Sequence, residues 1–222
     1  MAASWTTFPN FWRVYGKWRV NVLGDGMISA FLGATPIVRV GLPIAKGAGP
    51  ALLYVDRTVE LARLPPAPLA GIIIGGCVGA ADVQRFGAAL AVIEARAEME
   101  DGSLRIVAEV ASGAGLLAIS SLPGCSPRLD AIGWNGEAFA PGVGARFART
   151  DDGAWIGPCA TVRSLTLAAA AAAGVPAIDA LFSDADATAF RREAEEARRD
   201  GFRAKFTNSA EQARVLKDVF GE

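Results

Sequence analysis

Histidine is missing from this chain altogether. That one absence excludes Ser-His-Asp triads, His–Zn centres and imidazole general bases. Any proton transfer falls to carboxylates, lysine, tyrosine or cysteine. Cysteine is scarce too: Cys77, Cys125 and Cys159 are three and far apart in sequence, which speaks for reduced thiols and against a disulfide framework. Charge of one sign is lacking, with a net value of -1, so no basic field draws the chain to nucleic acid or to an anionic membrane. Long apolar runs are lacking as well. The stretches at residues 71–74 and 165–175 are too short, or too rich in alanine and glycine, for a membrane span. Residues 1–10 carry no basic residue ahead of an apolar run, unlike a secretory signal. These readings together lead us to expect a cytoplasmic protein without nucleic-acid or membrane partners.

What is present is a chain of 222 residues, 52 % of them apolar, ample for one core and short for two. Near-continuous apolar runs at residues 5–8, 19–23, 36–40, 70–74, 104–109, 131–134, 176–178 and 202–206 read as parallel strands buried on both faces. Helical patterns stand between them at residues 51–63, 80–98, 113–121, 159–173, 187–200 and 210–220. Asp184 and Ser209 are the expected N-caps of the last two helices, and Gly174 the stop before residues 176–178. Arg191, Arg192, Arg198 and Arg199 alternate with Glu193, Glu195 and Glu196 as a solvated helix face does. Eight strands alternating with helices predict one domain over residues 1–222, an α/β fold of the (β/α)8 TIM type; an open doubly wound sheet is the competitor.

The outer helices expected at residues 10–18 and 26–33 are short and punctuated by glycine. Strands left uncovered there would present an apolar face, which a second copy or a related chain would bury. The aromatics Trp5, Phe8, Phe11, Trp12, Tyr15 and Trp18 fit that cover and the core, or a ligand-stacking surface. Leu64-Pro65-Pro66-Ala67-Pro68 reads as a stiff connection, not a domain boundary.

From Pro127 onward the sequence carries recognisable motifs. Pro127-Arg128-Leu129-Asp130-Ala131-Ile132-Gly133-Trp134-Asn135-Gly136-Glu137-Ala138-Phe139 resembles the sixth-strand motif of the citrate lyase beta subunit and its HpcH/HpaI-aldolase relatives. Thr161-Val162-Arg163-Ser164, then Val175-Pro176-Ala177-Ile178-Asp179, then residues 191–205 with Gly201-Phe202 continue the resemblance. Earlier segments are similar: Ser4-Trp5 with Phe8-Pro9, Val22-Leu23-Gly24-Asp25-Gly26, Val38-Arg39-Val40 and residues 106–117. The resemblance implies a Mg-dependent enzyme that makes or breaks a carbon–carbon bond in acyl-thioester substrates of the citryl-, malyl- or citramalyl-CoA type. It implies two carboxylate ligands at the ends of the fifth and sixth strands, since Mg²⁺ requires anionic oxygens, and an arginine that stabilises the enolate.

Carried over position by position, the resemblance puts the fifth-strand ligand on Ala111 and the sixth-strand Glu-Asp pair on Glu137-Ala138. The fourth-strand Pro-Lys falls on Gly75-Gly76, the first-strand arginine on Ala3, and Ile-His-Pro on Asn208-Ser209-Ala210. Gly24 replaces the second-strand glutamate. Arg39, Asp25 and Glu137 remain as the candidate catalytic set. Magnesium is the family's cofactor, yet its ligands are substituted here, so no cofactor is expected on these residues.

Each candidate also has a structural reading. Arg39 binds a carboxylate or phosphate, or else pairs with Asp25 or Glu137. Glu137 is a lone general base beside Trp134 or a rim residue; Asp25 is functional or a turn former between glycines. Gly75, Gly76 and Ser112 open segments whose N–H groups would cradle a phosphate, or which simply make tight strand–helix turns. Cys77 is the best-placed thiol, with only a helix terminus to activate it. The expected function is a carbon–carbon lyase homologue for acyl-CoA or 2-oxo acid type substrates, without the metal site and catalytically impaired. The alternatives are a non-catalytic binding or structural subunit pairing with itself or an intact paralogue, and an active lyase whose ligands lie elsewhere. A small carboxylate or CoA thioester is the expected ligand.

Overall fold

The computed structural model describes residues 30–32, 35–39, 51–60, 69–184 and 186–221, with side chains from Ala51 on except that of Ala210. Among the described residues there are eight strands: β1 (Ala30–Leu32), β2 (Thr35–Arg39), β3 (Ala51–Asp56), β4 (Leu69–Gly75), β5 (Arg105–Val110), β6 (Leu129–Trp134), β7 (Ala177–Asp179) and β8 (Ala204–Thr207). From β2 to β8 each runs parallel to the next. β1 closes the ring, antiparallel to both β2 and β8. The described residues therefore form an α/β, TIM-type barrel in part and not the expected full (β/α)8 repeat. The open-sheet competitor is set aside by the β1–β8 pairing.

Helices follow the later strands. They are α1 (Ala80–Arg96), α2 (Gly113–Ala118, continued by a 3₁₀ turn at Ile119–Ser121), α3 (Gly136–Gly142), α4 (Gly157–Ala173), α5 (Ala187–Asp200) and α6 (Ala210–Phe220). No helix among the described residues is long and apolar enough to cross a membrane. Gly174 ends α4 at φ 68°, a conformation open to glycine. Ser209 caps α6, accepting from the N–H groups of Glu211 and Gln212. The cap of α5 is Asp186, not Asp184: its Oδ1 accepts from Thr188 and Ala189, while Asp184 accepts from the Asp186 N–H.

Two expectations near the start are corrected. In place of the helix expected over residues 51–63, Ala51–Asp56 is β3, flanked by parallel neighbours on both sides. Leu52 and Tyr54 turn into the barrel and Leu53 and Val55 outward, a period of two that burial on both faces hides in the sequence. In place of the helix expected over residues 26–33, residues 30–32 form β1. The expected strands at 5–8 and 19–23, the aromatic set, Asp25 and the proline-rich connection lie outside the described residues.

The core has two shells. Inside the barrel Leu52, Ile73, Val107, Ala131, Ile178 and Phe206 pack together. Between sheet and helices Ile72, Phe86, Leu90, Ile132, Trp134 and Val162 belong to a larger cluster. Each such fully buried side chain contributes about 1.5–3 kcal/mol. Two ionic networks pin helices to the sheet. At the strands' N-terminal end, Arg128 donates to both oxygens of Glu94 at 2.8 and 2.7 Å. Burial opposes the Glu94 charge, but Arg128 and the N–H groups of Leu104 and Gly102 outweigh it and hold the carboxyl at about 2. On the barrel's outer wall, the fully buried Lys205 ammonium donates to Asp179 at 2.8 Å, Glu193 at 2.6 Å and the Ala180 carbonyl at 2.6 Å. Asp179 also accepts from Trp134 and Arg163, and Glu193 from Arg149.

Candidate functional site at the barrel mouth

The C-terminal ends of parallel barrel strands carry the side chains that can meet a ligand. Above the apolar interior, three polar groups converge there. Tyr54 on β3 donates its hydroxyl to Oε2 of Glu109 on β5 at 2.6 Å. Glu109 is 4 % exposed, a carboxylate among the apolar residues Ile106, Val107, Ala108 and Val110 of β5. Asn135, just past β6, directs Nδ2 to Glu109 Oε1 at 3.5 Å, and its Oδ1 caps α3 by accepting from the Ala138 N–H at 3.0 Å. Tyr54 and Glu109 each make a further interaction besides these. β4 lies between β3 and β5, so the phenol must pass over it. It does so at Gly75, where a Cβ would stand 2.3 Å from the Tyr54 hydroxyl. Gly133 makes similar room on β6, where a Cβ would stand 2.8 Å from the Phe206 ring.

The sequence candidates distribute around this centre. Arg39 ends β2, and its Cα is the register partner of Tyr54. Glu137 is placed not at a strand end but in the first turn of α3; it is half-exposed, with Arg149 at 3.9 Å. Ala138 is helical as well, so the residue that directly follows β6 is Asn135. Ala111 directly follows β5.

The glycine segment has little to offer a phosphate. The N–H groups of Cys77, Val78 and Ala80 are taken by the Glu109 carbonyl, Asp82 and Ser121. Ser112 caps α2, accepting from Gly115. Cys77 is buried, and burial together with the Asp82 charge pushes its thiol up to about 12, far from a nucleophile's range.

Tyr54, Glu109 and Asn135 escaped the sequence reading. Tyr54 was hidden by the helical pattern of its segment. Glu109 left a cue: it stands two residues before Ala111, the spacing that puts both on one face of a strand.

A magnesium ion can be tested against this mouth. Mg²⁺ keeps an octahedral shell of oxygens and needs anionic donors to give up water. The described mouth supplies Glu109, with both oxygens already in hydrogen bonds, while Ala111 has no donor and Asn135 is neutral and committed to α3. Among the described residues no three acid or thiol side chains converge in a metal-holding group. The described residues do not fit the ion.

No protein-family model matches the sequence, and no curated protein matches it. Solved structures do. The citrate lyase beta subunit of Mycobacterium tuberculosis in complex with oxaloacetate and magnesium aligns with a TM-score of 0.68 at 18 % identity, covering 84 % of this chain and 86 % of that one. The structure of CitE from the same organism with magnesium, acetoacetate and coenzyme A aligns with a TM-score of 0.68 at 18 % identity, over 83 % of this chain and 71 % of that one. RipC from Yersinia pestis aligns with a TM-score of 0.63 at 22 % identity, over 83 % and 87 %. This chain has the citrate lyase beta subunit fold. On that fold the mouth just described lies at the strand ends to which the sequence resemblance assigns the magnesium ligands.

Proposed function

We propose that the chain is a citrate lyase beta subunit-like homologue that has lost metal-dependent carbon–carbon cleavage and keeps the barrel for binding a small carboxylate or acyl-CoA type ligand. One observation carries the reading: the position after β5 is Ala111, and the carboxylate two residues before it, Glu109, is bonded to Tyr54 and Asn135. A divalent ion would have to break those bonds and, among the described residues, would gain one anionic donor. Arg39, beside Tyr54 in register, is the residue proposed to hold the ligand's carboxylate or phosphate. Asp25 and Glu137 are proposed as auxiliary groups of that site. Oxaloacetate, acetoacetate and coenzyme A are ligands of the similarly folded mycobacterial protein, and they set the ligand class to test here. Unpaired Cys77, Cys125 and Cys159 fit a cytoplasmic setting.

The test is a cleavage assay on malyl-, citramalyl- and citryl-CoA with magnesium present. No turnover is expected with any of the three, while acetoacetate or coenzyme A raises the melting temperature. Magnesium-dependent cleavage of any one overturns the reading. A second reading, a structural subunit pairing with itself or with an intact paralogue, is favoured by Leu117 and Phe147, which stand 86 % and 64 % exposed. Light scattering on the purified chain separates the two: a monomer at all concentrations leaves self-pairing without support.

A further inference from the structure

We propose that residues 140–151 form a self-complementary face through which two copies of this chain pair about a two-fold axis. The face starts at the C-terminal end of α3 and runs into the turn before α4. Glu137, Ala140, Pro141, Arg146, Phe147 and Asp151 line an open groove of about 370 Å³ there. Phe147 walls the groove and stands 64 % exposed. Its segment is well tied. The N–H groups of Val143, Gly144 and Ala145 bond back to Ala140 and Pro141, and those of Thr150 and Ile156 to Ala154 and Ala148. Arg149 pins the turn: it donates to the Gly153 carbonyl at 2.8 Å and to both oxygens of Glu193 at 2.7 and 3.0 Å, and lies 3.6 Å over the Trp155 ring. A large apolar ring held in water by an ordered segment marks a contact surface, and an ordered surface loses little entropy on pairing. The charges indicate the occupant. Arg149 takes the nearby acids Glu137 and Glu193, while Arg146 and Asp151 make no ion pair among the described residues. One groove therefore holds one unmatched cation and one unmatched anion. A phosphate or other small anion would meet Asp151 and Glu137 as well as Arg146. A second copy offers both signs in reversed order: across a two-fold axis beside Phe147, each Arg146 faces the Asp151 of the other copy and each ring enters the other's groove.

The inference rests on the self-pairing reading and gives it a surface; thioester cleavage at the mouth has no bearing on it. The experiment is sedimentation equilibrium of the intact chain over a concentration series, with Arg146→Asp and Asp151→Arg made singly. The wild type should show a monomer–dimer equilibrium. Each variant alone sets like charges against each other at both contacts, and its dimer dissociation constant should rise about tenfold. An equimolar mixture of the two variants should pair as the wild type does. There the new acid at position 146 meets the new base at 151, and the unchanged Asp151 of the first variant meets the unchanged Arg146 of the second. Phe147→Ser should give a monomer whose circular dichroism matches the wild type. A wild type that stays monomeric overturns the inference and the self-pairing reading with it. A dimer that neither the charge substitutions nor Phe147→Ser weaken overturns the inference alone, because the copies then pair elsewhere. A mixture no tighter than its two components overturns the opposed, two-fold arrangement.

Discussion

Single residues decide the chemistry of this mouth. Gly75 is needed not for its backbone but for the ring that occupies its side-chain space. Gly75→Ala should therefore destabilise the fold by about 1–3 kcal/mol, the usual cost of overpacking, measured by urea denaturation. A variant as stable as the wild type would mean the ring lies elsewhere. Lys205 is the second pivotal residue. It is fully buried with three acceptors, so Lys205→Met leaves the Glu193 and Asp179 carboxylates short of a cation. The loss should be about 3–5 kcal/mol, with the urea midpoint falling and the slope unchanged. Cys77 gives a chemical check. Its thiol, pushed up to about 12, should resist alkylation at pH 8 in the folded chain and react on unfolding.

Elements differ in how far the sequence betrays them. β4, β5, β6, β7 and β8 were legible because parallel strands buried on both faces are near-continuous apolar runs, even though all but β4 hold a charged residue. The end of α4 and the start of α6 were legible because Gly174 and Ser209 are stop and start signals, while the cap of α5 is Asp186 and not the expected Asp184. β3 was not, because Ala51, Leu52, Val55 and Val59 also fall at helical spacing. α3 escaped because a seven-residue helix opened by Gly136 and holding Pro141 has no periodicity to detect. At the site, the substituted position Ala111 was readable from its motif. Tyr54, Glu109 and Asn135 were not, since what joins them is the order of strands round the barrel and no spacing along the chain. Ser209→Ala tests the cap of α6 at this scale: a loss of about 1 kcal/mol is expected, seen as earlier exchange of the α6 amides. Unchanged exchange would remove the cap from the account.

The whole molecule is held at both ends of its strands by buried carboxylates, and acid should find them. The folded Glu94 carboxyl stands at about 2 against an ordinary 4.5, so as pH falls the unfolded chain takes up its proton first. Its contribution is therefore complete above pH 4.5 and lost as pH falls towards 2, on the order of 3 kcal/mol in all. Asp179 and Asp82 are lowered against burial by their cationic and N–H partners and act in the same direction, while burial raises Asp130, which acts in the opposite one. Stability measured from pH 6 to pH 2 should fall steadily, and Glu94→Gln should flatten the fall. A flat profile in the wild type would show that the network contributes nothing.

At the mouth, one measurement bears most directly on the central claim that this barrel works without a divalent ion. It is the titration of the purified chain with Mn²⁺, free ion being followed by electron paramagnetic resonance. The account predicts a free-ion signal that rises in proportion to the metal added, in the wild type and in Glu109→Gln alike. One saturable ion per chain, abolished by Glu109→Gln, would contradict it.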